Sequence, residues 1–165
     1  MAIREIVKQG DSVLNKPCHP VTKFDGKLAD LLDDMKQTLA QANGLGLAAP
    51  QVGILRRAVI VIDDNGEMLE LVNPEILEKQ GEQDGLEGCL SVPGLWGYVK
   101  RPSWVKVRAQ DRNGTWFEVE GHDITARCFC HELGHLDGHL FTELCEKLYT
   151  NEDLDRMMEE QEDME

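Results

Sequence analysis

No stretch of this 165-residue sequence contains the roughly 18 consecutive apolar residues of a membrane-spanning helix. Residues 1–8 also lack the apolar segment of a secretory signal peptide. The five cysteines are odd in number and irregularly spaced, which disfavours the disulfide framework of a small secreted protein. These absences predict a soluble, cytoplasmic protein whose cysteines are reduced thiols or metal ligands.

Positive charge is scarce, because 17 lysines and arginines accompany 31 acidic residues and the net charge is −14. Such a surface repels phosphate groups and anionic lipids, so we expect no direct nucleic-acid binding and no membrane partner. Half of the net charge lies in the last fifteen residues, where eight acids accompany only Arg156. Charge runs of this kind are typically solvated. We therefore predict one globular domain over residues 1–150 and an acidic C-terminal tail, frayed or disordered, over residues 151–165.

The first strong periodic segment is an amphipathic helix predicted over residues 25–43. Its apolar residues recur at the spacing of one helix face, and they are Leu28, Leu31, Leu32, Met35 and Leu39. Gly44 is the expected stop of this helix. Two β-hairpins follow: residues 57–62 and 67–72 flank an Asp-Asp-Asn-Gly turn, and residues 104–110 and 115–120 flank an Asn-Gly turn.

A second helix is predicted late in the chain, with Asp123 as its N-cap and Gly138 just past its C-terminus. Its inward-facing residues are predicted to be Ile124, Cys128, His131 and His135. The order of helix, hairpins and helix predicts an α+β fold, with antiparallel hairpins and sheets packed around this central helix and an N-terminal helix beside them.

Residues 131–135 of the late helix form an HExxH motif, which points to a metal site. Positions i and i+4 lie on one helix face, so His131 and His135 can converge on one cation. Glu132 is rotated by about 100° and can stand beside the metal as a base.

A catalytic metal site usually has three protein ligands and an open fourth position. Phe141 occupies the position of the third histidine in HExxHxxGxxH proteases, and His139 comes two residues too early. Glu143 and Glu146 lie too close to the motif for a thermolysin-like ligand. We favour Cys89, because adjacent glycine permits a close backbone approach and a thiolate is a strong soft donor.

Three separated motifs together carry a family resemblance. They are GLGLAAPQ at residues 44–51, EGCLS at residues 87–91 and HELGH at residues 131–135. In order and spacing they resemble peptide deformylases of the bacterial type, and the similarity extends over about residues 3–148. The resemblance implies that residues 1–150 form a catalytic domain that removes the formyl group from N-formylmethionyl peptides and nascent chains.

The resemblance also implies a role for each motif. Cys89, His131 and His135 would bind one divalent metal ion, Fe²⁺ natively, with Zn²⁺, Ni²⁺ or Co²⁺ as alternatives. Gln51 and the backbone N–H of Leu90 would stabilise the oxyanion, and Glu132 would transfer the proton. The substrate pocket would be lined by Leu45, Gly46, Ile124 and Cys128.

Two positions depart from the family pattern. Gly134 stands where an aspartate is usual, so we expect Arg101 to have lost its partner. Arg127 stands where an aliphatic residue is common, so the pocket rim is predicted to be more polar or Arg127 to turn outward.

Two other functions are kept open by the motif itself. An HExxH metallo-endopeptidase would take a third ligand downstream of the helix. A non-catalytic, metal-stabilised domain would close the site with a fourth protein ligand such as Cys130 or His139.

Overall fold

The structure of the protein is a computed structural model that describes residues 2–164. Its α-helices are α1 (Gly26–Ala42), α2 (Asp123–Leu136) and α3 (Asn151–Met164). Its strands are β1 (Gly46–Ala48), β2 (Ala58–Ile62), β3 (Met68–Gln80), β4 (Gln83–Cys89), β5 (Val92–Arg101), β6 (Trp104–Gln110), β7 (Trp116–His122) and β8 (Tyr149–Thr150). Short 3₁₀ helices cover Ser12–Asn15, Ala49–Val52 and Phe141–Glu143.

The strands form two antiparallel sheets. One has five strands in the order β1-β2-β3-β6-β7, and the other has three in the order β4-β5-β8. Both predicted hairpins are present, with Ile62 opposite Met68 in the first and Gln110 opposite Trp116 in the second. Strand β3 is longer than predicted, because its second half continues to Gln80 and pairs with β6. Antiparallel sheets with separate helices agree with the predicted α+β class.

The five-stranded sheet lies between α1 and α2, because alternate residues of a strand point to opposite faces. On β2, Val59 and Val61 pack in a cluster with Phe129 and Leu136 of α2. On the other face, Ala58 and Ile60 pack in a cluster with residues of α1, namely Leu28, Leu31, Leu32, Met35 and Leu39. All five predicted apolar residues of α1 are therefore buried against the sheet.

The boundaries of α1 and α2 differ slightly from the prediction. The Asp25 carboxylate accepts a hydrogen bond from the N–H of Leu28 and caps α1. Asn43, at φ 57°, ends α1 in the left-handed conformation, one residue before the predicted stop at Gly44. Asp123 is the first residue of α2, so the predicted N-cap is one position too late. Gly138 has φ 86°, as expected just beyond the end of a helix.

One predicted inward-facing residue of α2 is not buried in the core. Ile124 is 62% exposed, because it lies in the first turn of the helix, where it borders an open cavity. Cys128, His131 and His135 lie further along α2 and do face the interior.

The acidic C-terminal segment forms helix α3, whose described side chains are almost all exposed. It follows β8, which pairs with β5 by placing Trp96 opposite Tyr149. Trp96 Nε1 also donates a hydrogen bond of 2.7 Å to Asn151. The fraying of this segment in solution stays a prediction. No helix within residues 2–164 is long and apolar enough to cross a membrane.

Candidate active site

The three predicted metal ligands meet between α2 and the end of β4. The ligand atoms of Cys89, His131 and His135 all lie within 4.8 Å of one another, and no other group of this kind occurs in residues 2–164. Cys89 Sγ lies 3.4 Å from His135 Nε2. Two such atoms on one tetrahedral cation, with bonds of roughly 2.3 and 2.0 Å, are separated by about 3.5 Å. The donor set therefore fits a metal ion.

Local structure brings these ligands together. His131 and His135 are one turn apart on the same face of α2, as i and i+4 residues must be. Cys89 is the last residue of β4, where a register irregularity after Glu87 lets it pair with Val92 across a tight turn. This position places the Cys89 thiol next to His131 and His135.

The electrostatic environment of the histidines also suits a cation. Burial lowers the pKa of His135 to about 3, so its imidazole is neutral, as a metal ligand must be. Burial acts in the same direction on His131, but the adjacent Glu132 and Cys89 outweigh it and raise the pKa to about 10. The surroundings of His131 thus stabilise a positive charge. His135 Nδ1 is buried without a hydrogen-bond partner among the described residues.

Glu87 was not predicted as a site residue, yet it organises one side of the cluster. Its Oε1 accepts a hydrogen bond of 2.7 Å from His131 Nδ1, which leaves Nε2 to face the ligand group. Arg101 donates to both carboxylate oxygens at 2.8 and 2.9 Å. Burial alone raises the pKa of Glu87, but the hydrogen bonds from Arg101 and His131 prevail and lower it to about 2. The sequence indicated this role only through the position of Glu87, two residues before Cys89.

The Glu87 carboxylate decides the two expectations that followed from the departures from the family pattern. The prediction that Arg101 lacks a partner is wrong, because it forms a buried ion pair with Glu87. Arg127 does not turn outward: it is buried and its Nη1 donates to Glu87 at 2.6 Å. Gly134 leaves α2 continuous, and a Cβ atom placed there would meet no atom within 4 Å.

Glu132 is buried beside the ligand cluster, with 4% of its surface exposed. Burial raises its pKa to about 7. Its Oε1 has no hydrogen-bond partner among the described residues. Gly46 lies directly against it, since an added Cβ would sit 2.5 Å from Glu132 Oε2. A carboxyl group in this position is poised to exchange a proton near neutral pH.

Gln51 is buried beside the Cys89 thiol. Its Oε1 accepts a hydrogen bond of 2.9 Å from the N–H of Ala48, which fixes the orientation of the amide. Its Nε2 then lies 3.2 Å from Ser91 Oγ and 3.6 Å from Cys89 Sγ. The Gln51 amide donor is therefore aimed at the ligand cluster.

A cavity of about 670 Å³ opens in front of these groups. It is lined by every predicted site residue except His135, namely Leu45, Gly46, Gln51, Cys89, Leu90, Ile124, Cys128, His131 and Glu132. His135 is only 1% exposed. The alternative ligands lie elsewhere: His139 and Glu143 are exposed and bond to one another at 3.0 Å.

A family model described as polypeptide deformylase matches residues 3–151. The chain belongs to the peptide deformylase family. The prediction of an enzyme from this family is thereby confirmed. Peptide deformylases are metal-dependent hydrolases, in keeping with the cluster of three ligands.

Individual relatives are similar over most of the chain. The peptide deformylase of Agathobacter rectalis is 53% identical over 146 residues, which cover 88% of this chain and 92% of that protein. Peptide deformylase 1 of Bacillus subtilis is 51% identical over 155 residues, with coverages of 93% and 97%.

Solved structures of peptide deformylases share the fold. The enzyme from Thermotoga maritima gives a TM-score of 0.85 at 37% identity, covering 89% of this chain and 100% of that chain. The Met-Ala-Ser-bound class I type b enzyme from Acinetobacter baumannii gives 0.82 at 35% identity, with coverages of 87% and 98%.

Proposed function

We propose that this enzyme hydrolyses the N-formyl group of N-formylmethionyl peptides and nascent chains and releases formate. The observation that carries the proposal is the meeting of three metal-type ligands, a buried carboxyl group and an amide donor at one cavity. Membership of the peptide deformylase family gives the reaction class. Nascent chains are made in the cytoplasm, where we propose that the enzyme acts.

Cys89, His131 and His135 would hold one divalent metal ion, and we propose Fe²⁺ as the native ion. One thiolate and two imidazoles also suit Zn²⁺, Ni²⁺ and Co²⁺. When bound, such an ion supplies hydroxide at neutral pH, because it lowers the pKa of water from 15.7 to about 7.

The protein's own groups would carry out the remaining steps. Glu132 would accept the proton of the attacking water and deliver it to the departing amine, without which the C–N bond does not break. Gln51 Nε2 and the N–H of Leu90 would stabilise the oxyanion. Each such donor typically contributes about 2.7–4 kcal/mol to lowering the barrier.

Gly46→Ala is expected to reduce formate release by about 100-fold, because the new methyl group would displace Glu132 and small misplacements of a catalytic group are this costly. The rate should be measured with a saturating formyl-Met-Ala-Ser peptide. Gly134→Ala is the matched control, since its methyl group meets open space and alanine favours a helix by about 1 kcal/mol. Equal rates for the two variants would contradict the placement of Glu132.

The direct test of the function compares three reactions. Protein prepared anaerobically with Fe²⁺ is expected to release formate from formyl-Met-Ala-Ser, whereas the chelated protein should not. Unformylated casein should remain intact, which separates deformylation from endopeptidase activity. Metal-dependent cleavage of casein without formate release would favour the endopeptidase, and a metal that activates neither reaction would favour a structural site.

The charge of α3 bears on whether the enzyme binds the ribosome. The exposed carboxylates of α3 have the wrong sign for RNA. We therefore propose that the enzyme meets nascent chains by diffusion or through protein contacts, without direct nucleic-acid binding.

A further inference from the structure

A second cavity, of about 330 Å³, lies beside the start of α1 and has a basic rim. We call this cavity the basic groove, and its rim consists of Arg4, Lys23, Lys27 and Arg56. Arg4 pairs with Asp34 at 2.9 Å. The other three cations form no ion pair with any residue in the part of the chain that the structure describes. In a chain of net charge −14, such a cluster favours an anionic partner.

The floor of the basic groove is apolar. It is formed by Leu28 and Leu31 of α1 together with Val21 and Ile54. A small anion needs only the charges of the rim and gains nothing from an apolar floor. Apolar surface bordered by charged residues is typical of a site that binds another protein. We therefore expect a partner whose apolar side chains are flanked by carboxylates.

Helix α3 carries this pattern of apolar side chains. Leu154, Met157 and Met158 recur at i, i+3 and i+4, so they form one apolar stripe along the helix. Met157 is 37% exposed and Met158 is 62% exposed. Within one chain α3 packs mainly against β5 and β8, which leaves these methionines uncovered. Methionine side chains are flexible and adapt readily to the surface of a partner.

The charges of α3 are arranged around the same stripe. At 100° per residue, Asp155 and Glu162 lie along one edge of the stripe and Glu160 lies along the other. All three carboxylates are exposed. Arg156, the single base of α3, falls on the opposite side of the helix. The helix thus presents apolar side chains between acids, and the basic groove presents an apolar floor between bases.

We propose that the basic groove of one copy of this protein binds α3 of a second copy. The methionines cover the apolar floor, and the flanking carboxylates face Lys23, Lys27 and Arg56. Two copies of net charge −14 repel each other at a distance, so association depends on the opposite charges that meet at this contact. Reciprocal docking gives a symmetric dimer. One helix face buries little area, so the dimer dissociates on dilution.

Sedimentation of the full chain at a series of concentrations measures this association and does not depend on the proposed enzymatic function. The mass of the wild-type protein should rise from one copy toward two. Met157→Gln with Met158→Gln removes the apolar stripe without changing the charge. The association constant should fall by about tenfold or more, the effect of no longer burying even one such side chain.

Charge reversal on the rim of the groove is the second measurement. Lys23→Glu with Lys27→Glu should lower the association constant by about tenfold or more. Lys79→Glu with Lys100→Glu is the matched control, because it changes the net charge equally at lysines that line other cavities. Its effect should be much smaller. Every side chain altered in these variants is exposed, so each variant should fold.

A mixing experiment separates specific docking from general repulsion. Asp155→Lys with Glu160→Lys reverses charges beside the stripe, and this variant should be monomeric, as should Lys23→Glu with Lys27→Glu. When the two variants are mixed, each helix meets a groove of opposite charge, and we expect a heterodimer.

Wild-type protein that stays monomeric at every concentration would overturn the proposal without any variant. If that monomer bound inorganic phosphate at the basic groove, the groove would be a site for small anions instead, and the proposal would again be overturned. A dimer that is unaffected by the groove and methionine substitutions would place the interface elsewhere. Failure of the two charge variants to pair when mixed would contradict docking of α3 in the groove.

Discussion

Glu132→Gln is expected to reduce formate release by about 10²–10⁴-fold while the protein keeps its metal. Glutamine preserves the volume of the buried side chain but cannot accept and return a proton. The three ligand atoms belong to Cys89, His131 and His135, so the substitution removes none of them. The measurement pairs single-turnover formate release with the metal content of the same sample.

Glu143→Gln is the matched control for this experiment. Glu143 lies in the chain just beyond the motif, but it is exposed, and its side chain bonds only to His139 among the described residues. Its substitution should leave both rate and metal content unchanged. Parent-like turnover in Glu132→Gln would show that the proton takes another route. Loss of metal in that variant would instead make Glu132 a ligand.

Glu87→Gln is expected to lower the free energy of unfolding by about 3–5 kcal/mol, because it leaves two buried arginines without their carboxylate. Arg101 and Arg127 are each about one-tenth exposed, and both bond to Glu87. The variant should also bind metal more weakly, since His131 loses the acceptor that orients its ring. Chemical denaturation of metal-free protein measures the first effect.

The difference in unfolding free energy between wild-type protein and Glu87→Gln should become smaller as the pH falls. The pKa of Glu87 is lowered from its ordinary value of 4.5 to about 2, so its contribution is complete above about pH 5 and is lost as the pH falls toward 2. Wild-type protein and Glu87→Gln should therefore converge in acid. Glu118→Gln is the control, because Glu118 forms only an exposed ion pair with Lys106, which contributes little. If Glu87→Gln were as stable as Glu118→Gln, the stabilising role of the buried network around Glu87 would be contradicted.

The elements with strong local signals were predictable from the sequence. Helix α1 and both hairpins follow from periodicity and turn residues, which act within a few positions of the chain. The three-stranded sheet was not predicted, since β8 is only two residues long and pairs with a strand more than fifty residues earlier. Pairing of that kind leaves little trace in the local pattern.

The ligand cluster was predictable because its chemistry restricts the residue types. His131 and His135 were indicated by their helical spacing. Cys89 was favoured as a soft thiolate donor beside a glycine, and the resemblance to peptide deformylases implied the same residue. The buried network around Glu87 could not be predicted, because its partners Arg101 and Arg127 come from β5 and α2 and meet only in the fold. The same reasoning applies to Ile124, whose periodicity predicts burial but whose place in the first helical turn leaves it at the cavity.

The most direct test of the account is a titration of metal-free protein with Fe²⁺ under anaerobic conditions, with bound metal and formate release measured together. We expect the rate to rise in proportion to bound metal and to stop rising at one ion per chain, and Cys89→Ala to show neither tight binding nor turnover. Formate release by the metal-free protein, or a Cys89→Ala variant that binds and turns over like the wild type, would contradict it.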